Sequence, residues 1–178
     1  MDSLLANVDR EVWVVTAAWQ GRRSGLVATF VMQASVDPQA PRLLVGMAPN
    51  HFTCELAEGA GRLAVHLLRD DQLELVWRFG LSSGRGQDKF AGLSLAGSSV
   101  DLPMLDDCLA SAECKVADRF VAPGRTFFLC DIVAERQISQ GMPLRERTVF
   151  EKASPEQRRL LAANMQADLE IARAGRRE

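Results

Sequence analysis

The sequence is poor in residues that bind metal ions. Its 178 residues include only two histidines, His51 and His66, and four cysteines that form no CxxC pair. A structural zinc ion takes four such ligands at short spacings, so neither their number nor their arrangement suffices here. We therefore expect no metal site, and we expect the cysteines to be reduced and mostly buried.

Long hydrophobic runs and an excess of positive charge are also absent. No apolar run approaches the roughly 20 residues that span a bilayer, and the N-terminus is not a basic segment followed by an apolar one. The 21 basic and 23 acidic residues give a net charge of −2, which leaves no basic surface for a nucleic-acid backbone. We expect a cytoplasmic protein that contacts neither membranes nor nucleic acid.

The sequence does contain many short apolar segments of strand length. Hydrophobic residues make up 47% of the chain, which is enough for the core of one domain. Segments that are rich in β-branched residues and bounded by Gly, Pro or polar breaks predict strands. They lie at residues 12–18, 25–32, 42–47, 62–68, 112–116 and 126–134. Pro123 and Gly124 predict a tight turn between the last two.

Two short helices are predicted among the strands. One covers residues 50–58, with Asn50 as a candidate N-cap and with Gly59 and Gly61 as stops. The other follows Asp70, whose negative charge suits the positive end of a helix dipole, and ends near Gly80. Strands with inserted helices favour a small antiparallel barrel.

A third helix is predicted at the end of the chain. Ser154, Pro155 and Gln157 have the spacing of a capping box with proline in the first turn, and Gly175 is a stop. We therefore divide the chain into a barrel domain over residues 1–153 and a helix over residues 154–178. This helix is expected to pack on the barrel or on a dimer partner.

An ordered series of short segments resembles the flavin reductase-like proteins, which are FMN-binding split barrels. The series covers about residues 8–150 and includes the following segments: Val14-Val15-Thr16, Gly25-Leu26-Val27-Ala28-Thr29-Phe30, Ala34-Ser35-Val36-Asp37-Pro38, Asn50-His51-Phe52-Thr53 and Asp88-Lys89-Phe90-Ala91-Gly92. The resemblance implies a mainly-β fold with inserted helices. Its core would be a six-stranded Greek-key split β-barrel with short helices and a C-terminal helix.

The resemblance also implies which residues contact FMN. This cofactor carries a dianionic phosphate, a polar ribityl chain and a flat aromatic ring. The matching family strand, which contacts the ribityl chain and the ring edge, falls on Thr29, Gln33, Ala34 and Ser35. The matching phosphate loop falls on Asn50, His51, Phe52 and Thr53, and the matching cation and aromatic face fall on Lys89 and Phe90. From the residues alone, the segment 50–53 is also compatible with an ordinary helix cap.

The activity that the resemblance implies is an NAD(P)H:flavin oxidoreductase. Hydride would pass from NADH or NADPH to flavin between two aligned rings, so no catalytic side chain is assigned. The sequence differs from the family pattern at one segment that bears on NAD(P)H use. Many family members carry Gly-Asp-His where this chain has Gly124-Arg125-Thr126. We assign Arg125 and Thr126 to the nicotinamide side, although the histidine is missing.

Two alternatives stay open at this stage. A non-enzymatic FMN-binding electron carrier or redox sensor of the same fold would also explain the missing histidine. A split barrel that binds haem would have only His51 and His66 as histidine ligands. For the reductase, the resemblance implies a homodimer with FMN near the interface and a monooxygenase partner that receives reduced flavin.

Overall fold

The structure is a computed structural model that describes residues 4–98 and 100–175. Its main feature is a seven-stranded antiparallel sheet, accompanied by a two-stranded ribbon. The strands are β1 (Trp13–Trp19), β2 (Arg22–Ala28), β3 (Val31–Gln33), β4 (Arg42–Met47), β5 (Arg62–Leu67), β6 (Leu95–Ala96), β7 (Met104–Leu105), β8 (Ala110–Ala122) and β9 (Arg125–Gln137). The helices are a 3₁₀ turn (Leu4–Asn7), α1 (Phe52–Ala60), α2 (Leu73–Gly80), α3 (Glu146–Lys152) and α4 (Pro155–Ala174).

The sheet curls into an open barrel. Its strand order is β2-β1-β5-β8-β9-β4-β3, so β2 and β3 lie at opposite edges. Yet Ala28 ends β2 and Val31 begins β3, so at most about 11 Å of chain joins the two edges. The sheet must therefore curl to bring its edges together, and the predicted mainly-β split barrel is confirmed.

The strand predicted over residues 25–32 is split in two. The break falls at Thr29 and Phe30, after which the chain leaves β1 and pairs with β4. The Phe30 carbonyl already accepts a hydrogen bond from the Gly46 amide at 2.7 Å. The sheet consequently has seven strands where six were predicted.

Strand β1 separates two hydrophobic clusters. Val15 and Ala17 belong to the core inside the barrel. Val12 and Val14 belong to a second cluster, where they pack with Phe79 of α2. Because both faces of β1 are buried, its sequence is a nearly continuous apolar run and does not alternate between apolar and polar residues.

Strands β8 and β9 form a hairpin much longer than predicted. The predicted segments 112–116 and 126–134 cover only part of the two 13-residue strands. Much of the remainder is exposed and mixes charged with apolar residues, so it lacks the apolar run that marks a strand. The predicted turn is confirmed, and its Gly124 has a positive φ of 79°.

The predicted helix ends are partly confirmed. The N-cap of α1 is His51 rather than Asn50. Gly61, with a φ of 62°, ends that helix as predicted, whereas Gly59 lies inside the helix and does not stop it. The capping box of α4 is confirmed, since Ser154 Oγ accepts from the Gln157 amide at 3.2 Å and the Gln157 side chain accepts from the Ser154 amide at 2.8 Å. Helix α3 was not predicted, because its single buried residue, Val149, gives no helical pattern.

The four cysteines are free buried thiols, as predicted. Burial raises the pKa of the Cys54 thiol to about 11 and that of the Cys108 thiol to about 12, so both stay protonated. Within residues 4–98 and 100–175, no helix is long and apolar enough to cross a membrane.

Candidate active site

A cleft of about 410 Å³ lies between the barrel and α4. One wall is formed by β2 and the start of α1, and another by the end of α2 and the serine-rich loop that follows it. The cleft is lined among others by Ser24, Gly25, Thr29, Asn50, His51, Phe52, Thr53, Phe79, Ser82, Ser83, Gly84, Lys89, Leu161, Asn164, Met165 and Asp168. Pockets of this size and mixed lining are typical of sites for small organic cofactors.

Hydroxyl groups gather at the end of the cleft nearest α1. Thr53 Oγ1 donates to Ser24 Oγ at 3.0 Å, and both residues are buried. Gly84 packs so closely on the Ser24 hydroxyl that a Cβ at this position would overlap it. Because the first amides of a helix have no intrahelical acceptor, the start of α1 adds N–H donors to this end. Ser24 was missed from the sequence, where nothing near it marks a ligand contact.

Lys89 contributes a buried cation to the same cleft. Its Nζ donates to the carbonyls of Gly25 and Phe79, each at 2.9 Å. Burial lowers the pKa of Lys89 to about 8, because the ammonium loses the water that would otherwise surround it. An ammonium has three donors, and these two carbonyls use two of them. Lys89 therefore suits an anionic ligand better than a neutral one.

A three-residue polar cluster joins α4 to the barrel beside the start of α1, because His51 is the N-cap of that helix. The Asp168 carboxylate of α4 lies 3.3 Å from His51 Nε2 and 2.9 Å from Arg125 Nη1. Partial burial raises the pKa of Asp168, but the hydrogen bond from His51 and the charge of Arg125 lower it further, so the net shift is downward. Asp168 is consequently ionised at neutral pH. Nothing in the sequence pattern marks it, because its partners lie far away along the chain.

The predicted nicotinamide-side residues have different surroundings. Arg125 is partly exposed, and its guanidinium lies 5.2 Å from the centre of the Phe30 ring. Thr126 is 1% exposed and is hydrogen-bonded to the Cys54 thiol beneath the sheet. The structure thus leaves Thr126 no surface for a nucleotide, because its side chain points into the barrel core.

The predicted FMN contacts fall into two groups. Thr29, Asn50, His51, Phe52, Thr53 and Lys89 line the cleft. Gln33 and Ser35 instead line a shallower hollow of about 350 Å³ at the β3 edge, and the Ala34 amide donates to the Arg42 carbonyl at 2.8 Å. These three residues do not line the cleft, because the chain leaves β2 after Ala28 and continues as β3 alongside β4.

Phe90 does not line the cleft either. Its ring is 2% exposed and packs 5.3 Å from the ring of Phe79, between centroids. This position gives Phe90 a role in the second hydrophobic cluster rather than an aromatic face for a ligand. The sequence alone does not distinguish these roles, since both require an aromatic residue after Lys89.

His66 uses both ring nitrogens within the core. Nδ1 bonds the Val14 carbonyl at 3.1 Å, and Nε2 accepts from the Leu105 amide at 3.1 Å. Burial lowers the pKa of His66 to about 4, so the ring is neutral at physiological pH. A ring that is fully used in this way is no metal or haem ligand, and the haem alternative loses one of its two histidines.

The cleft has the groups that a phosphorylated aromatic cofactor requires. The hydroxyls and the first helix amides at one end can hold a dianionic phosphate, and the buried Lys89 ammonium adds a positive charge to the cleft. The walls near Leu26, Val76 and Phe79 are apolar and suit a flat ring. Tested against these requirements, the residues fit FMN.

The fold is that of a split β-barrel with an open cleft beside one edge of the sheet. The sequence profile of the family described as flavin reductase like domain matches residues 5–146. The chain therefore belongs to this family, as the resemblance predicted.

Individual relatives are similar over much of the chain. A protein named high molecular weight rubredoxin from Moorella thermoacetica is 32% identical over 135 residues, which are 75% of this chain and 58% of that protein. This chain thus spans little more than half of that relative. FMN reductase (NADH) RutF from Pseudomonas syringae pv. syringae is 29% identical over 126 residues, covering 71% of this chain and 69% of that protein.

Solved structures show the same fold. A nitrilotriacetate monooxygenase component B homolog from Mycobacterium thermoresistibile superposes with a TM-score of 0.72 at 24% identity. The superposition covers 85% of this chain and 87% of that one. At this level of identity the likeness establishes the architecture.

Proposed function

We propose that this protein binds FMN in the cleft and acts as an NAD(P)H:flavin oxidoreductase. The observation that carries the proposal is the buried Ser24–Thr53 hydroxyl pair beside the start of α1, in the same cleft as the Lys89 ammonium, which bonds the neighbouring Gly25 carbonyl. Such groups suit a phosphate. Family membership and the relative named FMN reductase (NADH) support the same activity.

The roles of the residues follow from their positions. The hydroxyls of Ser24 and Thr53 and the Lys89 ammonium would hold the phosphate, while Phe79 and the neighbouring apolar wall would exclude water from the ring. When bound, FMN supplies the ring that accepts a hydride from a reduced nicotinamide. The chain then contributes binding and orientation, and no side chain is required as an acid or base.

A titration with FMN and riboflavin tests the phosphate site. FMN should bind more tightly, because charge-assisted hydrogen bonds to its phosphate contribute about 1.5–3 kcal/mol each. The preference should shrink above about pH 8, where Lys89 loses its proton in the absence of ligand. Riboflavin, which lacks the phosphate, is the matched control. Equal affinities for the two flavins at pH 7 would contradict the proposed phosphate site.

A non-enzymatic FMN-binding electron carrier or redox sensor is the second candidate. It is favoured by the surroundings of the Gly124-Arg125-Thr126 segment, where Thr126 is buried and Arg125 is ion-paired with Asp168. Consumption of NADH and NADPH with added FMN or FAD separates the two. Bound FMN without oxidation of either nucleotide would favour the carrier.

We further propose a homodimer and a monooxygenase as acceptor of the reduced flavin. The dimer is supported by exposed apolar residues on the outside of the barrel, which include Met32, Phe120 and Val133. The monooxygenase is supported by the name of the structural neighbour, which is a monooxygenase component. Adding candidate monooxygenases to the reduced protein and measuring substrate oxidation tests the second proposal.

A further inference from the structure

Helix α4 lies over the cleft but buries little of itself. None of its 20 residues is buried. Leu160, Met165 and Leu169 are 42%, 58% and 41% exposed. A helix is normally stabilised in a protein by packing an apolar face against the core. Helix α4 therefore depends on a small number of contacts, and it can separate from the barrel at low cost.

Polar contacts on one side of α4 attach it to the barrel. Asn164 Nδ2 donates to the Gly80 carbonyl at 2.9 Å. One turn further on, Asp168 bonds His51 and Arg125. The Asn164 contact joins two neutral groups. The Asp168–Arg125 contact joins two charged groups, and the Asp168–His51 contact does so when His51 is protonated.

The Asp168 carboxylate occupies a position that suits an external anion. His51 and Arg125 both come from the barrel, and each directs a donor at the same carboxylate from a different side. His51 Nδ1 is buried and has no partner in the described part of the chain, so its Nε2 is the nitrogen that binds. Guanidinium and imidazole groups bind phosphate in the same manner as carboxylate.

We propose that His51 and Arg125 form a second anion site, next to the Ser24–Thr53 hydroxyl pair at the start of α1. It takes a phosphate group of a nucleotide, and Asp168 fills it while α4 is docked. The identity of the occupant as the nicotinamide dinucleotide rests on the proposed function. Because the single N–H at His51 Nε2 cannot serve a carboxylate and a phosphate at once, ligand binding and α4 docking exclude each other. By linkage, each weakens the other by the same factor. Helix α4 thus covers the cleft reversibly, and the contacts of Asp168 with His51 and Arg125 hold it in place.

Hydrogen exchange of the chain, without any flavin, tests whether an anion competes with Asp168 for His51 and Arg125. The probe is inorganic pyrophosphate, compared with sodium chloride at equal ionic strength. Pyrophosphate should increase amide exchange in residues 155–174, while the salt control should not. In Asp168→Asn this segment should exchange rapidly from the start, and pyrophosphate should bind on the order of tenfold more tightly.

Glu170→Gln is the matched control, because it removes the same charge from the same helix. The Glu170 side chain bonds Gln166 of its own helix at 3.1 Å. If the two variants behave alike, the effect is one of net charge and the proposal is overturned. It is equally overturned if Asp168→Asn leaves pyrophosphate affinity unchanged or weakens it.

NADH added to the FMN-saturated protein identifies the occupant. We expect NADH to increase exchange in residues 155–174 and FMN alone not to do so. Release of the helix by FMN alone would assign the site to the flavin phosphate and overturn the second-site proposal. A protein that binds no flavin would contradict the proposed function, yet the pyrophosphate comparison would still decide whether the anion site exists.

Discussion

Lys89 and His66 are both buried, and burial lowers the pKa of each, but their hydrogen bonds differ. Lys89 donates to two carbonyls and keeps most of its charge at pH 7, since its pKa is about 8. His66 accepts a hydrogen bond from a backbone amide through Nε2, which requires the neutral ring. The first residue is thus available to an anionic ligand, while the second is a structural link between β1, β5 and β7.

His66 makes the folded state sensitive to acid. Its pKa is about 4 when folded and about 6.5 when unfolded, so the unfolded chain takes up a proton first as the pH falls. The stabilising contribution is full above about pH 6.5 and is lost towards pH 4. At pH 5 the free energy of unfolding should be lower by about 2 kcal/mol from this group alone.

Urea unfolding of the parent and of His66→Gln at pH 7.5 and pH 5 measures this contribution. Glutamine offers a donor and an acceptor but no proton uptake in this range, so the variant should lose less stability between the two pH values. An equal loss in both proteins would show that His66 is not the titrating group.

At the scale of elements, the docking of α4 depends on a close approach to the β8–β9 turn. A Cβ placed on Gly124 would lie 2.5 Å from the Ala172 Cβ, too close for the helix to keep its position. Gly21, in the β1–β2 turn, has a similar φ of +73° but has nothing within 4 Å of the corresponding Cβ. The two glycines therefore differ in their contact with α4 and not in backbone conformation.

Gly124→Ala should release α4, and Gly21→Ala should not. Both variants place alanine at a positive φ, which costs about 1–2 kcal/mol. Only Gly124→Ala should also increase hydrogen exchange in residues 155–174. If exchange in that segment is unchanged in Gly124→Ala, the turn is not what sets the position of the helix.

At the scale of the whole molecule, one face of the barrel remains apolar and exposed. The rings of Phe120 and Phe127 stack there with centroids 5.0 Å apart, and Phe120 is 53% exposed. Exposed apolar patches that include strand residues are typical of contacts between protein chains. A second copy of the chain is the occupant that we predict.

Light scattering at micromolar concentration should therefore give the mass of a dimer. Phe120→Glu should shift the protein towards the monomer, because a buried charge at the interface lacks a partner. Met142→Glu is the control, since Met142 is 68% exposed and lies away from the β8–β9 hairpin tip. A monomeric parent, or equal effects of the two substitutions, would rule out this interface.

Local sequence patterns were sufficient for most element positions. Strand β4 has the predicted bounds, and the capping box of α4 and the stop at Gly61 are as predicted, because each depends on residues within a few positions of one another. The split between β2 and β3 was not predictable from the run of apolar residues, because the run continues across the break while the pairing partner changes.

The sequence by itself determined the family and the loop that begins α1, since the ordered segments and the hydroxyl of Thr53 are visible in it. Only the tertiary structure decided which residues meet in the cleft. The hairpin register brings Ser24 to Thr53, and the docking of α4 brings Asp168 to His51 and Arg125. These contacts join distant parts of the chain, and their geometry is set by how the sheet curls and where the helix docks. No local pattern of residues encodes that arrangement.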